Sequence, residues 1–141
     1  MERSDEMVLV YPGILKPFSD GSGGYVVEFP DLPGCVSEGA NLEEALVMGT
    51  DAASGWILGE LEDGNKIPKA SSYQDLKSKE DNTDIITLFS LDIDKYAEKY
   101  GDRSVRKNLT IPAWMNTYAE KNNINFSQVL QDALLRMSQG K

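Results

Sequence analysis

The chain has 141 residues, 40% apolar and 26% charged, with a formal net charge of -9. This composition suits one medium or two small folded domains rather than a disordered chain, and no apolar run approaches the roughly 20 residues that a bilayer-spanning helix needs. With no histidine and one cysteine, Cys35, a Ser-His or Cys-His nucleophile, a Cys/His zinc finger and an internal disulfide are all excluded within the chain.

The N-terminus, Met1-Glu2-Arg3-Ser4-Asp5-Glu6, is acidic and lacks the apolar stretch of a signal peptide, so a cytoplasmic protein with no membrane partner is expected. Val8 to Leu15 reads as a strand that Pro12 makes an edge or interrupted one. Ser19 to Gly24 is a turn signal, and Tyr25 to Phe29 is a second strand rich in β-branched and aromatic residues. Pro30-Asp31-Leu32-Pro33-Gly34 breaks it, and Cys35 to Ser37 forms a short third strand, giving a three-stranded meander. A helix follows, opened by the Asn41/Glu44 capping pattern and closed near Asp63-Gly64. Leu42, Ala45, Leu46, Gly49, Ala53, Trp56, Ile57 and Leu61 recur at three- and four-residue steps and predict the face that covers the meander. Residues Ile67 to Thr83 read as polar loop, Ile85 to Leu91 as a further strand, Ile93 to Tyr100 as a short helix, and Gly101-Asp102-Arg103 as a linker.

The last segment changes character. Residues 1–100 carry 8 Lys and Arg against 20 Asp and Glu, whereas residues 101–141 carry 6 against 3. An acidic body and a mildly basic tail predict two modules with different partners, 1–100 and 101–141. In the tail, Ser104 to Ile111 reads as a strand stopped by Pro112. Ala113 to about Asn122 reads as a helix, with Trp114, Met115, Tyr118 and Ala119 as its apolar positions. Ser127 is the expected N-cap of a second helix whose stripe is Val129, Leu130, Ala133, Leu134 and Met137.

One strand and two short helices cannot bury a sufficient core alone, and the strand leaves an open edge. Pairing two copies of the strand antiparallel, with four helices packed behind, solves both problems and makes a ribbon that fits the major groove of DNA. Alternation places Val105, Lys107, Leu109 and Ile111 on one face and Arg106, Asn108 and Thr110 on the other. The latter three suit base edges: arginine pairs with guanine, asparagine with adenine, and threonine meets a thymine methyl or a polar edge. The N–H groups near Ser127 and Gln128 would serve phosphate. On these residues alone, a polar face that simply meets water stays open as the alternative.

Other signals point away from catalysis. Gly21-Ser22-Gly23-Gly24 lacks the Lys-Ser/Thr ending of a phosphate loop and reads as a hairpin turn. Cys35 has no base to activate it and reads as a small half-buried residue. Asp20, Glu28, Asp31, Glu43, Glu44 and Asp51 scatter over turn, strand and helix without a two-metal signature, so no catalytic residue, metal or cofactor is expected. Trp56 reads as core.

Arg106-Lys107-Asn108-Leu109-Thr110-Ile111-Pro112, Trp114 and Asn123 to Gln131 resemble the ribbon-helix-helix tail of HicB-type antitoxins. The first module agrees: Tyr11-Pro12, Gly24-Tyr25, Phe29-Pro30-Asp31-Leu32-Pro33-Gly34-Cys35, Glu38-Gly39 and Glu43-Glu44-Ala45 resemble the HicB-like N-terminal domain. The resemblance covers nearly the whole chain. It implies an α+β fold, with a partial ribonuclease-H-like sheet and covering helix that has lost catalysis, followed by a dimerising ribbon-helix-helix. It also implies a HicA-like, RNA-cleaving toxin as partner, operator DNA as ligand, and repression of the chain's own operon. Arg106, Asn108 and Thr110 are then the base readers. Lys107 departs from the family pattern, which prefers an apolar residue there. Tyr25, Glu28 and Asp31 are the candidate toxin contacts, since an acidic module suits a basic RNA-gripping partner. The alternative is a stand-alone repressor whose first module senses a ligand or oligomerises.

Overall fold

The structure, a computed structural model, describes residues 7–77, 83–101 and 104–138. Four strands, β1 (Val8–Pro17), β2 (Tyr25–Glu28), β3 (Val36–Gly39) and β4 (Ile85–Asp92), make an antiparallel sheet in the order β3-β2-β1-β4. The long helix α1 (Leu42–Glu62) lies on one face, and α3 (Ile93–Tyr100) follows β4 directly. The fold is thus α+β. The expected meander forms β1 to β3, and the later strand joins it on the far side of β1.

That placement changes the role of Pro12, which sits in an interior strand. β2 pairs with β1 only from Ile14 to Pro17, while β4 pairs from Val8 to Leu15. At Pro12 the strand therefore has a neighbour on one side only, and its missing N–H costs the sheet no second ladder. Alternation sends Tyr11 and Leu15 inward with Val27, Phe89 and Leu91, and these side chains with Phe29, Leu32, Ala45, Ala53, Ile57, Ile67 and Ile93 form the core. Phe29 and Phe89 meet edge to face with centroids 4.8 Å apart.

α1 begins as its sequence dictates. The Asn41 side chain accepts the Glu44 N–H at 2.8 Å, and the Glu44 carboxylate accepts the Ala40 N–H at 2.6 Å. The helix ends in a Schellman turn: Gly64 adopts φ +84, with Gly64 N–H to the Leu61 carbonyl at 3.0 Å and Asn65 N–H to the Glu60 carbonyl at 2.9 Å. Glycine is required where the helix meets β3. A Cβ on Gly39 would lie 2.2 Å from the Ala45 nitrogen and 2.6 Å from its Cα. The expected apolar face is narrower than the periodicity implied: Ala45, Gly49, Ala53 and Ile57 are buried, but Leu42 and Leu46 are exposed.

The stretch expected as loop between Ile67 and Thr83 contains a short helix, α2 (Tyr73–Lys77), whose Leu76 is buried. Ile67 is buried as well, and the Tyr11 hydroxyl donates to the Pro68 carbonyl. A polar composition hid this element because one apolar residue anchors it. α3 is capped by Asp92, whose side chain accepts the Lys95 N–H at 3.0 Å. Of the expected linker, Asp102 and Arg103 lie outside the described residues.

In the tail, the segment 104–112 has no regular structure and pairs with no strand among the described residues, so the expected strand is not formed in the single chain. A ribbon strand has no ladder to join until another strand is present. The two expected helices are α4 (Ala113–Lys121) and α5 (Phe126–Ser138). Asn123 takes φ 56 between them, closing α4 in a second Schellman turn through Asn123 N–H to Glu120 and Ile124 N–H to Ala119. The cap of α5 is Asn125, not Ser127: its side chain accepts the Gln128 N–H at 3.0 Å. Asparagine two residues earlier claims the start, and Ser127 falls inside the first turn.

Candidate functional site

The tail leaves its apolar side chains uncovered. Val105 is 78% exposed, Leu109 66%, Trp114 68% and Met137 69%, and α5 buries none of its residues. Ile111, Met115, Tyr118, Phe126, Val129, Leu130 and Leu134 are exposed with them. Only Ala119 of α4 is buried. Such a density of bare leucine, valine and aromatic surface exceeds what scattered surface residues account for.

The sequence-predicted base readers Arg106, Asn108 and Thr110 lie in the same exposed segment, alternating with Val105, Lys107, Leu109 and Ile111. Both sets are exposed in the single chain, so alternation alone separates them. Gln128 is more committed than expected. Its backbone N–H goes to Asn125, and its side-chain amide donates to Asp132 at 3.1 Å. Ser127 stays exposed at the start of α5. The tail touches the body through the Ile67 N–H, which donates to the Ser138 carbonyl at 2.5 Å.

In the body, the three candidate contacts do not share a surface. Tyr25 points to the α1 side with Val27 and packs against the core, whereas Glu28 alternates to the opposite face. There Glu28 pairs with Lys16 at 3.9 Å, and Lys16 also meets Asp84 at 3.8 Å. Asp31 has an internal task. Its carboxylate accepts the Ser71 N–H at 2.9 Å and the Ser71 hydroxyl at 2.5 Å, fastening the chain after α1 across the β2 end of the sheet. Burial, with the Asp31 charge adding, pushes the Tyr11 phenol up to about 12.

Among the described residues, no three of Cys, Asp and Glu gather as metal ligands. Cys35 is buried, and burial pushes its thiol up to about 11, which favours the protonated form over a nucleophilic thiolate. Trp56 packs beside the core and donates its indole N–H to the Pro33 carbonyl at 3.0 Å.

Sequence reading passed over the outer side of α1. Val47 is 66% exposed and Met48 41%, and neither belongs to the buried stripe. The signal was present: two large apolar residues stand off the face that the periodicity had already filled. No described helix is long and apolar enough to cross a membrane.

Residues 11–133 match the family described as HicB_like antitoxin of bacterial toxin-antitoxin system. A protein of Haemophilus phage HP1 (strain HP1c1), described as an uncharacterized 14.9 kDa protein in the rep-hol intergenic region, is 33% identical over 138 residues, covering 90% of this chain and 98% of its own. Among solved structures, a toxin-antitoxin complex from Streptococcus pneumoniae includes a similar chain, with 26% identity and a TM-score of 0.58 over 93% of this chain and 99% of that one. The Burkholderia pseudomallei antitoxin HicB shares the fold, with a TM-score of 0.61 at 22% identity over 90% of this chain and 96% of its own. A match over residues 11–133, on an antiparallel sheet with a covering helix, places this chain in the HicB-like antitoxin family of bacterial toxin-antitoxin systems.

Proposed function

We propose that this antitoxin neutralises a HicA-like RNA-cleaving toxin with residues 1–100 and represses its own operon with residues 101–141, acting as a homodimer through the tail. The observation that carries the second half is the bare apolar surface of a segment that has no strand partner in its own chain. Two copies of 104–111 pair antiparallel, Val105, Leu109 and Ile111 turn onto four helices, and Arg106, Asn108 and Thr110 turn outward to base edges. Lys107, on the inner face, keeps its ammonium wet by lying along the ribbon's end. Ser127 and the first turn of α5 approach the phosphates, with Gln128 joining once its side chain leaves Asp132. The toxin half is supported by charge: the body is acidic, and a protein that grips RNA carries the opposite sign.

The test is sedimentation of the full chain followed by titration of operator DNA at several salt concentrations. The expected species is a dimer with one preferred, roughly palindromic site. Arg106→Ala should reduce preference for that site by about 1–3 kcal/mol while leaving the fold intact. A monomer at micromolar concentration, or unchanged site preference in the variant, counts against the proposal.

A further inference from the structure

Between Pro17 and Asn65 the chain contains ten Asp and Glu and not one Lys or Arg. This stretch builds β2, β3 and the whole of α1. The acidity of the body is therefore not evenly spread, and α1 contains five Asp and Glu and no Lys or Arg of its own. Helical spacing then fixes which of them are neighbours. Glu43 and Glu44 lie one turn before Val47 and Met48, and Asp51 lies one turn after. Glu43, Glu44, Val47, Met48 and Asp51 are all exposed. The opposite side of the same turns, Ala45, Gly49 and Ala53, is buried against the sheet. Glycine at 49 lets Phe89 and Val27 come close beneath it, since a Cβ there would lie 2.9 Å and 3.2 Å from them. The solvent side is thus backed by packed sheet and is rigidly presented. α3 packs farther along, where Tyr96 meets Gly55, and leaves the first turns open.

We infer that the outer face of the first three turns of α1, with Val47 and Met48 at its centre and Glu43, Glu44 and Asp51 around them, is the surface that receives the basic toxin. The inference rests on the proposed neutralising function and deepens it. An apolar centre rimmed by charge of one sign is the arrangement expected of a protein interface. The sign selects the occupant: a surface without cations over 49 consecutive residues repels nucleic acid and attracts a cationic protein. A second copy of this chain would bring the same carboxylates face to face. The surface also replaces Tyr25, Glu28 and Asp31, which point in different directions or hold the body together.

The experiment uses the full chain and a HicA-like toxin from the same source, in a cleavage-inactive form, with affinity measured by calorimetry at two salt concentrations. Val47→Lys and Glu43→Lys are made separately, because lysine suits an exposed helix and both sites are open. Leu88→Lys, on the far face of the sheet, is the control. Each α1 variant should weaken binding on the order of tenfold or more, Leu88→Lys should leave it unchanged, and salt should weaken the wild-type complex. Circular dichroism and melting temperature should match the wild type. If the wild type binds and the α1 variants bind equally well, the assigned surface is wrong while neutralisation stands. If the wild type itself does not bind, neutralisation of that protein fails and the surface falls with it.

Discussion

Tyr11 shows how one side chain ties the body together. Its ring fills the core, its hydroxyl donates to the Pro68 carbonyl, and its phenol is pushed from 10.0 up to about 12. Between those values the folded chain keeps a proton that the unfolded chain releases. Stability from this group is therefore whole below pH 10 and lost as pH rises through about 12, a loss of about 2–3 kcal/mol at most. Urea melts from pH 9 to 12 should show that decline in the wild type and a shallower one in Tyr11→Phe. The variant should also be weaker at neutral pH by about 1–2 kcal/mol, since the Pro68 carbonyl loses its donor. Gly39 is a second residue with a sharp requirement. Alanine there would press on the backbone of the first turn of α1, and Gly39→Ala should cost about 1–3 kcal/mol in the urea midpoint.

At the scale of elements, local signals were legible and distant ones were not. The Asn41/Glu44 cap and the Gly64 stop of α1 are written in adjacent residues, and both took the expected form. Asn41→Ala should lower stability by about 1 kcal/mol, measured by denaturation of the full chain. The seat of β4 beside β1 depends on pairing across 70 to 84 residues, which no local pattern encodes. α2 escaped notice because Leu76 alone anchors it, and the start of α5 was misplaced because Asn125 and Ser127 are both competent caps. The tail's alternating strand pattern named three base-reading candidates. The body's candidates were chosen by the acidity of the first module, although a three-residue step along β2 already sends Tyr25 and Glu28 to opposite faces. Asp31 looked available because nothing near it in sequence predicts Ser71 as its partner.

For the whole molecule, the two halves differ in how complete they are. The body closes its own core around α1, while the tail holds a row of bare apolar residues from Val105 to Met137. Dilution should therefore act on the tail first. Leu109→Glu should shift sedimentation toward monomer and abolish operator binding, while the near-ultraviolet signal of the body's core persists. The halves are nonetheless joined at the Ile67 N–H and the Ser138 carbonyl. Ile67 is only 1% exposed with the tail in place, so its amide meets water only when the tail swings away. Deuterium uptake at that single amide becomes a clock for how often the tail lets go of the body.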